Sequence, residues 1–156
     1  MQAKEGVLDR LNAALTIELT MINQYFLHAE MCRNWGYERL YEKFRDMSMD
    51  EMKDVQRLMR QILYLDGLPN LQRLGTLHIG ETVQQDLQLD LQDEMVAVDG
   101  LREAIAHCAQ VGDFTTRALF EEMIQGEEAQ VDWLETQLSA IGDLGIERYL
   151  GHSIRD

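Results

Sequence analysis

One glutamate interrupts the apolar stripe of each of four predicted helices. Each of these acids has leucine, isoleucine, valine, methionine or aromatic residues at the spacings that define one helix face. The four acids are Glu18, Glu51, Glu94 and Glu127. Since each lies near the middle of its helix, we expect the four carboxylates to meet at one level of a helical bundle.

Burying four carboxylates together is unfavourable unless positive charge accompanies them. An unpaired ionised carboxylate costs free energy on burial, and each like charge beside it raises that cost. The apolar stripes carry no matching set of Lys or Arg at these levels. One or two divalent cations would satisfy the acids, and oxygen-rich sites suit magnesium, manganese and iron. The alternative is that the glutamates are protonated or partly solvated and hold no metal.

Two of the four acids are followed, three residues later, by a further polar side chain. Asp54 follows Glu51 and Gln130 follows Glu127, and residues at positions i and i+3 can reach one site from the same helix. Di-iron four-helix bundles use one Glu from each of two helices and a Glu-x-x-His pair from each of the other two. Iron is therefore favoured, although Asp54 and Gln130 stand where this pattern has histidines.

The helices that position these residues follow from the 3.6-residue periodicity of the chain. We predict helices over about residues 5–34, 38–65, 82–111 and 113–141, and a short tail helix over about 143–150. A capping box of Thr82 and Gln85 is predicted to begin the third helix. Two antiparallel hairpins joined by a connection of about 14 residues predict an all-α, ferritin-like four-helix bundle, with a single domain over residues 1–156.

The charge balance narrows the possible partners. The 156 residues include 28 acids and 14 Lys or Arg, giving a net charge of −14, which argues against binding nucleic acid or an anionic membrane. No apolar run reaches the length of a membrane span or of a signal peptide, so we expect a cytoplasmic protein.

Cys32 and Cys108 are expected to be buried, reduced thiols. The histidines are expected to be surface or packing residues rather than ligands; they are His28, His78, His107 and His152.

Several stretches of the chain together resemble a bacterioferritin. They are Asn23-Gln24-Tyr25-Phe26-Leu27-His28-Ala29, Asp50-Glu51-Met52-Lys53, Asp66-Gly67-Leu68-Pro69-Asn70-Leu71-Gln72 and Leu101-Arg102-Glu103-Ala104-Ile105. The resemblance covers essentially the whole chain. It implies a cage of twenty-four subunits that stores a ferric mineral, a b-type haem between paired subunits, and a di-iron ferroxidase centre in each competent bundle.

The resemblance also implies roles for individual residues. The four glutamates match the carboxylate ligands of the di-iron centre, and Tyr25 matches the tyrosine beside it. Met52 matches the axial ligand of the haem iron. Asp46, at a position that is often histidine, and Asp50 match an iron site on the inner surface of the cage, with ordinary surface acidity as the alternative.

The departures from the family pattern define the functional hypotheses. Asp54 can still ligate iron, whereas Gln130 offers only a neutral amide oxygen. The leading hypothesis is a haem-carrying cage subunit with an impaired or remodelled ferroxidase centre. Such a subunit would co-assemble with a sister subunit that has both histidines, and a ferredoxin is a possible electron donor for iron release. The alternatives are a self-sufficient ferroxidase that uses Asp54, and a purely structural acidic bundle that binds a protein partner.

Overall fold

A computed structural model describes residues 1–154 and confirms the predicted all-α fold, with four long helices and a short C-terminal one. The helices are α1 (Val7–Asn34), α2 (Glu38–Tyr64), α3 (Val83–Val111), α4 (Phe114–Leu144) and α5 (Ile146–Gly151). The first two long helices pack as one hairpin and the next two as another. The single domain predicted over residues 1–156 stays a prediction, and its residues 155–156 lie outside the described residues.

Helix ends differ from the predicted ones where glycine conformation decides them. Gly6 has a φ of 76°, so α1 begins at Val7 rather than near residue 5. Gly142 does not end α4, which continues to Leu144 and stops at Gly145, where φ is 79°. The tail helix α5 therefore begins three residues later than predicted.

The turn after α2 uses aspartate instead of glycine for the left-handed residue. Asp66 has a φ of 59°, and the amide of Gly67 donates to the carbonyl of Ile62 at 2.9 Å. At the start of α3, Thr82 Oγ1 accepts from the amide of Gln85 at 3.2 Å, as the capping box predicts. The Gln85 side chain accepts from the amide of Glu81 at 2.7 Å rather than from that of Thr82.

The long crossover between α2 and α3 is held along α1 by hydrogen bonds from its own backbone. The amide of Asn70 donates to Asn12, that of Gly75 to Thr20 and that of His78 to Gln24, at 2.9, 2.8 and 2.9 Å. The three acceptors follow one another along a single helix, so the crossover runs parallel to α1. Side chains of α1 thereby supply partners that an exposed loop would otherwise take from water.

The apolar core is divided into two clusters, one at each end of the bundle. One cluster includes Leu11, Leu58, Leu101 and Phe120; the other includes Met21, Phe44, Leu87 and Leu134. On every long helix the predicted glutamate lies between the residues of the two clusters. The acids therefore form a polar layer across the middle of the bundle. Within residues 1–154, no helix is both long and apolar enough to span a bilayer.

Candidate metal centre

The middle layer of the bundle consists of acids that are almost completely removed from solvent. Glu18, Glu51, Glu94 and Glu127 are at most 2% exposed. Each lies on a different long helix. The antiparallel packing of α1 on α2 and of α3 on α4 brings these mid-helix positions to one level. The Ser48 hydroxyl donates to the carbonyl of Ile22 at 2.9 Å and fixes the register that brings Glu18 level with Glu51.

Four carboxylates of this layer are close enough to share one ion or a pair of ions. Glu18, Glu51, Asp54 and Glu127 each offer an oxygen, and these oxygens lie within 4.8 Å of one another. Asp54 thus joins three of the glutamates, and α2 contributes two of the four carboxylates. This arrangement is an all-oxygen donor set, of the kind that hard divalent cations and iron accept.

Glu94 faces the same layer and is held by a tyrosine. The Tyr25 hydroxyl donates to Glu94 Oε1 at 2.5 Å, and both side chains are fully buried. Burial and the neighbouring carboxylates Glu94 and Asp90 raise the pKa of Tyr25 well above 10.0, so the phenol keeps its proton. The other oxygen of Glu94 accepts no hydrogen bond among the described residues.

Unsatisfied polar atoms are concentrated in this layer. Seven buried side-chain nitrogen or oxygen atoms lack a hydrogen-bond partner in the described part of the chain, and five of them belong to Glu18, Glu51, Glu94 and Gln130. Native proteins satisfy nearly all buried polar atoms, so such a concentration indicates a missing positive partner. Bound divalent cations would be suitable partners for oxygens of this kind.

Burial makes the ionised form of the acids unfavourable in the metal-free protein. It raises the pKa of Glu51, Glu94 and Glu127 well above the ordinary 4.5, and mutual repulsion among these carboxylates adds to the shift. The carboxylates must lose their protons before they bind a metal. Metal binding at this layer is therefore expected to release protons and to tighten as pH rises.

An arginine contacts the edge of the layer. Arg57 Nη2 donates to Asp54 Oδ1 at 2.9 Å, and Arg57 Nη1 donates to Glu122 Oε2 on α4 at 2.6 Å. Burial raises the pKa of Asp54, while Arg57 opposes that shift. The guanidinium lies in a cleft of about 480 Å³ between α2 and α4 that leads from solvent to the centre. The cleft is lined by Asp50, Asp54, Arg57, Glu122, Glu127 and Gln130, among others.

Of the remaining predicted residues, Asp46, Asp50 and Met52 lie away from the converging carboxylates, whereas Gln130 lies next to one of them. Asp50 is exposed at the rim of the cleft and pairs with Lys53 at 3.8 Å, whereas Asp46 is exposed one turn earlier on α2. Met52 points away from the centre and is 48% exposed. Gln130 lies beside Glu51, and its buried carbonyl oxygen has no hydrogen-bond partner within residues 1–154.

The structure also contains a second buried polar cluster that the sequence reasoning missed. His28, Asp86 and Asp90 are all fully buried; His28 Nδ1 lies 2.8 Å from Asp90 Oδ2, and Nε2 lies 3.2 Å from Asp86 Oδ1. Gln24 donates to Asp90 at 2.8 Å, and Gly80 of the crossover donates to Asp86 at 2.7 Å. Two polar pairs spaced by four residues, one on α1 and one on α3, were the available signal.

Comparison with known proteins agrees with this architecture. The family described as Ferritin-like domain matches residues 8–143. A bacterioferritin from Mycolicibacterium paratuberculosis is 47% identical over 149 residues, which cover 96% of this chain and 94% of that protein. A bacterioferritin from Brucella melitensis is 40% identical over 96% and 92% of the two chains. One from Rhodobacter capsulatus is 42% identical over 93% and 90%.

Proposed function

Because this chain belongs to the bacterioferritins, a group within the ferritin-like family, we propose that it is an iron-storage subunit whose di-iron centre is remodelled by Asp54 and Gln130. The observation that carries the proposal is the convergence of Glu18, Glu51, Asp54 and Glu127 in one buried layer. Glu94 of the same layer and Gln130, which lies beside Glu51, complete the proposed ligand set. Asp46 and Asp50 are proposed to receive iron on the inner surface.

Fe(II) is the substrate of the proposed centre. Two Fe(II) ions that enter through the α2–α4 cleft replace the protons of the buried glutamates, and the carboxylates hold the ions close together. Two Fe(II), one dioxygen and two protons give two Fe(III) and hydrogen peroxide, so the pair supplies both electrons at once. The Tyr25 hydroxyl holds Glu94 in place throughout by donating to its Oε1.

The replacement of both histidines changes the charge that the iron meets. An imidazole ligand is neutral, whereas Asp54 adds a negative charge and Gln130 adds none. Additional negative charge stabilises Fe(III) more than Fe(II), so the oxidised product is held more tightly at the centre. Slow release of Fe(III) limits turnover. We therefore propose co-assembly with a sister subunit that has both histidines and oxidises Fe(II) rapidly.

Timed aerobic oxidation of Fe(II) by cages made only of this chain tests the proposal. We expect an oxidation rate about tenfold below that of an Asp54→His, Gln130→His variant, because even changes to the partners of metal ligands typically cost about 10–100-fold in activity. A Glu51→Ala, Glu127→Ala variant is the baseline for uncatalysed oxidation. A native cage that contains only this subunit and oxidises Fe(II) rapidly would exclude co-assembly.

A self-sufficient ferroxidase is the second candidate, and the position of Asp54 favours it. Its carboxylate lies among those of the glutamates, so it can replace a histidine as ligand without a change in the backbone. The same assay separates the two candidates. The self-sufficient enzyme would be supported if cages of this chain oxidise Fe(II) as fast as the double-histidine variant. The Glu51→Ala, Glu127→Ala variant must then lose that activity.

We further propose that Met52 is an axial ligand of haem b between paired subunits. The structure fits this role because Met52 is 48% exposed outside the bundle core, and two further apolar residues of the same hairpin, Phe26 and Met49, are 54% and 41% exposed. Bound haem would supply a route for electrons to stored iron, with a ferredoxin as the proposed donor. We propose that twenty-four such subunits form the cage.

Replacement of Met52 should remove haem without preventing assembly. We expect Met52→Leu cages to lose the Soret absorbance of the purified protein, since leucine has no sulfur to bind iron. Met95→Leu, which alters a 51% exposed methionine on α3, is the matched control and should retain it. Retention of the full Soret absorbance by Met52→Leu would contradict the assignment.

A further inference from the structure

Arg57 is the one cation that directly contacts the converging carboxylates among residues 1–154. It lies three residues after Asp54 on α2, and its side chain is 37% exposed. One nitrogen of the guanidinium binds Asp54, whose side chain is 17% exposed. The other binds Glu122, which is 67% exposed, across the cleft on α4. Arg57 therefore spans the entrance to the centre.

The charge of Arg57 is fixed, whereas that of the acids is not. A guanidinium keeps its proton in proteins, so Arg57 presents a positive charge to Asp54 before any metal arrives. A divalent cation at the centre needs the same carboxylate. Like charges at the two sides of one carboxylate repel, so Arg57 and the metal compete for Asp54.

We propose that Arg57 is a positioning residue that holds Asp54 at the mouth of the metal-free centre and lowers the affinity of the centre for divalent cations. The inference rests on the proposed function, because it concerns the same ligand set. Glu122 anchors the guanidinium from α4 and keeps it over the entrance. When Fe(II) enters, Asp54 turns an oxygen to the metal, and repulsion from Arg57 weakens the hold on the ion. Arg57 thereby offsets part of the negative charge that aspartate adds in place of histidine, because solvent screens the partly exposed guanidinium.

A purely structural role for Arg57 predicts something different. A partly exposed ion pair contributes little to folding, so its loss leaves the bundle folded and changes no property of the metal centre. Competition for Asp54 requires instead that removal of Arg57 strengthens metal binding, and that this gain becomes smaller when residue 54 cannot be ionised. These two requirements distinguish the roles.

The affinity of the centre for divalent cations can be measured by anaerobic titration of intact cages with Co(II). Its ligand-field absorbance reports binding, and Co(II) does not undergo the oxidation proposed for Fe(II). We expect Arg57→Gln to raise the affinity for Co(II) about tenfold, a modest factor because solvent screens the guanidinium. Arg57→Lys should restore most of the wild-type affinity, since it restores the charge. In an Asp54→Asn background, Arg57→Gln should change the affinity by a smaller factor than in the wild type, because the shared carboxylate is absent and only repulsion between the guanidinium and the metal remains.

Arg60→Gln is the matched control, because Arg60 is an exposed arginine on the same helix that does not line the cleft. It should leave Co(II) affinity unchanged. Two results would overturn this inference alone. In one, Arg57→Gln leaves Co(II) binding unaffected or weakens it. In the other, Arg57→Gln changes Co(II) affinity equally in the wild-type and Asp54→Asn backgrounds. Wild-type cages that bind no more Co(II) than a Glu51→Gln, Glu127→Gln variant would overturn the proposed function, and this inference with it.

Discussion

Replacement of Glu51 and Glu127 by glutamine is expected to stabilise the metal-free protein at pH 8 while abolishing its binding of divalent cations. Both carboxyls have a pKa raised well above 4.5 by burial. Such a carboxyl has a higher pKa in the folded state than in the unfolded state. The protein therefore becomes less stable as pH rises from about 4.5 through the raised pKa. Glutamine has the same size and no charge. We expect a gain of about 1–4 kcal/mol, the range by which well-packed hydrophobic replacements of buried ion pairs often stabilise a protein.

Thermal unfolding of metal-free cages at pH 5.5 and pH 8 measures this gain. The wild-type protein should unfold at a lower temperature at pH 8, and the double variant should lose less stability between the two pH values, because Glu94 and His28 still titrate in it while residues 51 and 127 do not. Glu135→Gln, on the exposed face of α4, removes a charge without touching the layer and should behave as wild type. If the unfolding temperatures of all three proteins depend equally on pH, burial does not raise the pKa of Glu51 and Glu127.

Replacement of His28 by leucine is expected to destabilise the fold strongly. The imidazole lies between Asp86 and Asp90, and all three side chains are fully buried. Leucine would leave two buried carboxylates without their cation, and breaking a buried ion pair by removing one partner costs about 3–5 kcal/mol. Chemical unfolding of metal-free cages, compared with wild type at the same pH, measures the loss.

The pH dependence of this loss has a definite sign. Asp90 and Asp86 raise the pKa of His28 above 6.5 in spite of its burial. Its contribution is therefore fully present below about 6.5 and is lost as pH rises through the raised value. The difference between wild type and His28→Leu should be larger at pH 6 than at pH 9. His78→Leu alters a 48% exposed histidine that pairs with Asp93, and it should cost less than about 1 kcal/mol.

The fold was predictable because local patterns and global topology agree. Apolar residues follow the helical period over four long segments, and the capping groups at Thr82 and Asp113 lie where the third and fourth helices begin. The ends at Gly6 and Gly142 were less predictable, because a glycine ends a helix only when it takes a left-handed conformation. Gly142 remains helical, whereas Gly145 does not.

The candidate site was predictable to the extent that each helix carries its own signal. A charged residue within an apolar stripe identifies Glu18, Glu51, Glu94 and Glu127 without reference to any other helix. Contacts that cross between helices leave no such signal. Arg57 reaches Glu122 over 65 positions of the chain, and His28 reaches Asp90 over 62. Only the packed bundle shows that one of these residues contacts the centre and the other binds acids of α3.

The most direct test of the account is the position of metal in crystals of the cage soaked anaerobically with Mn(II). Anomalous scattering should show Mn(II) bound by Glu51 and Glu127 in the middle layer of every bundle, with Glu18 and Asp54 turned toward it. A middle layer that stays empty at saturating Mn(II), with manganese only on exposed acids, would contradict the claim that these buried carboxylates form a metal centre.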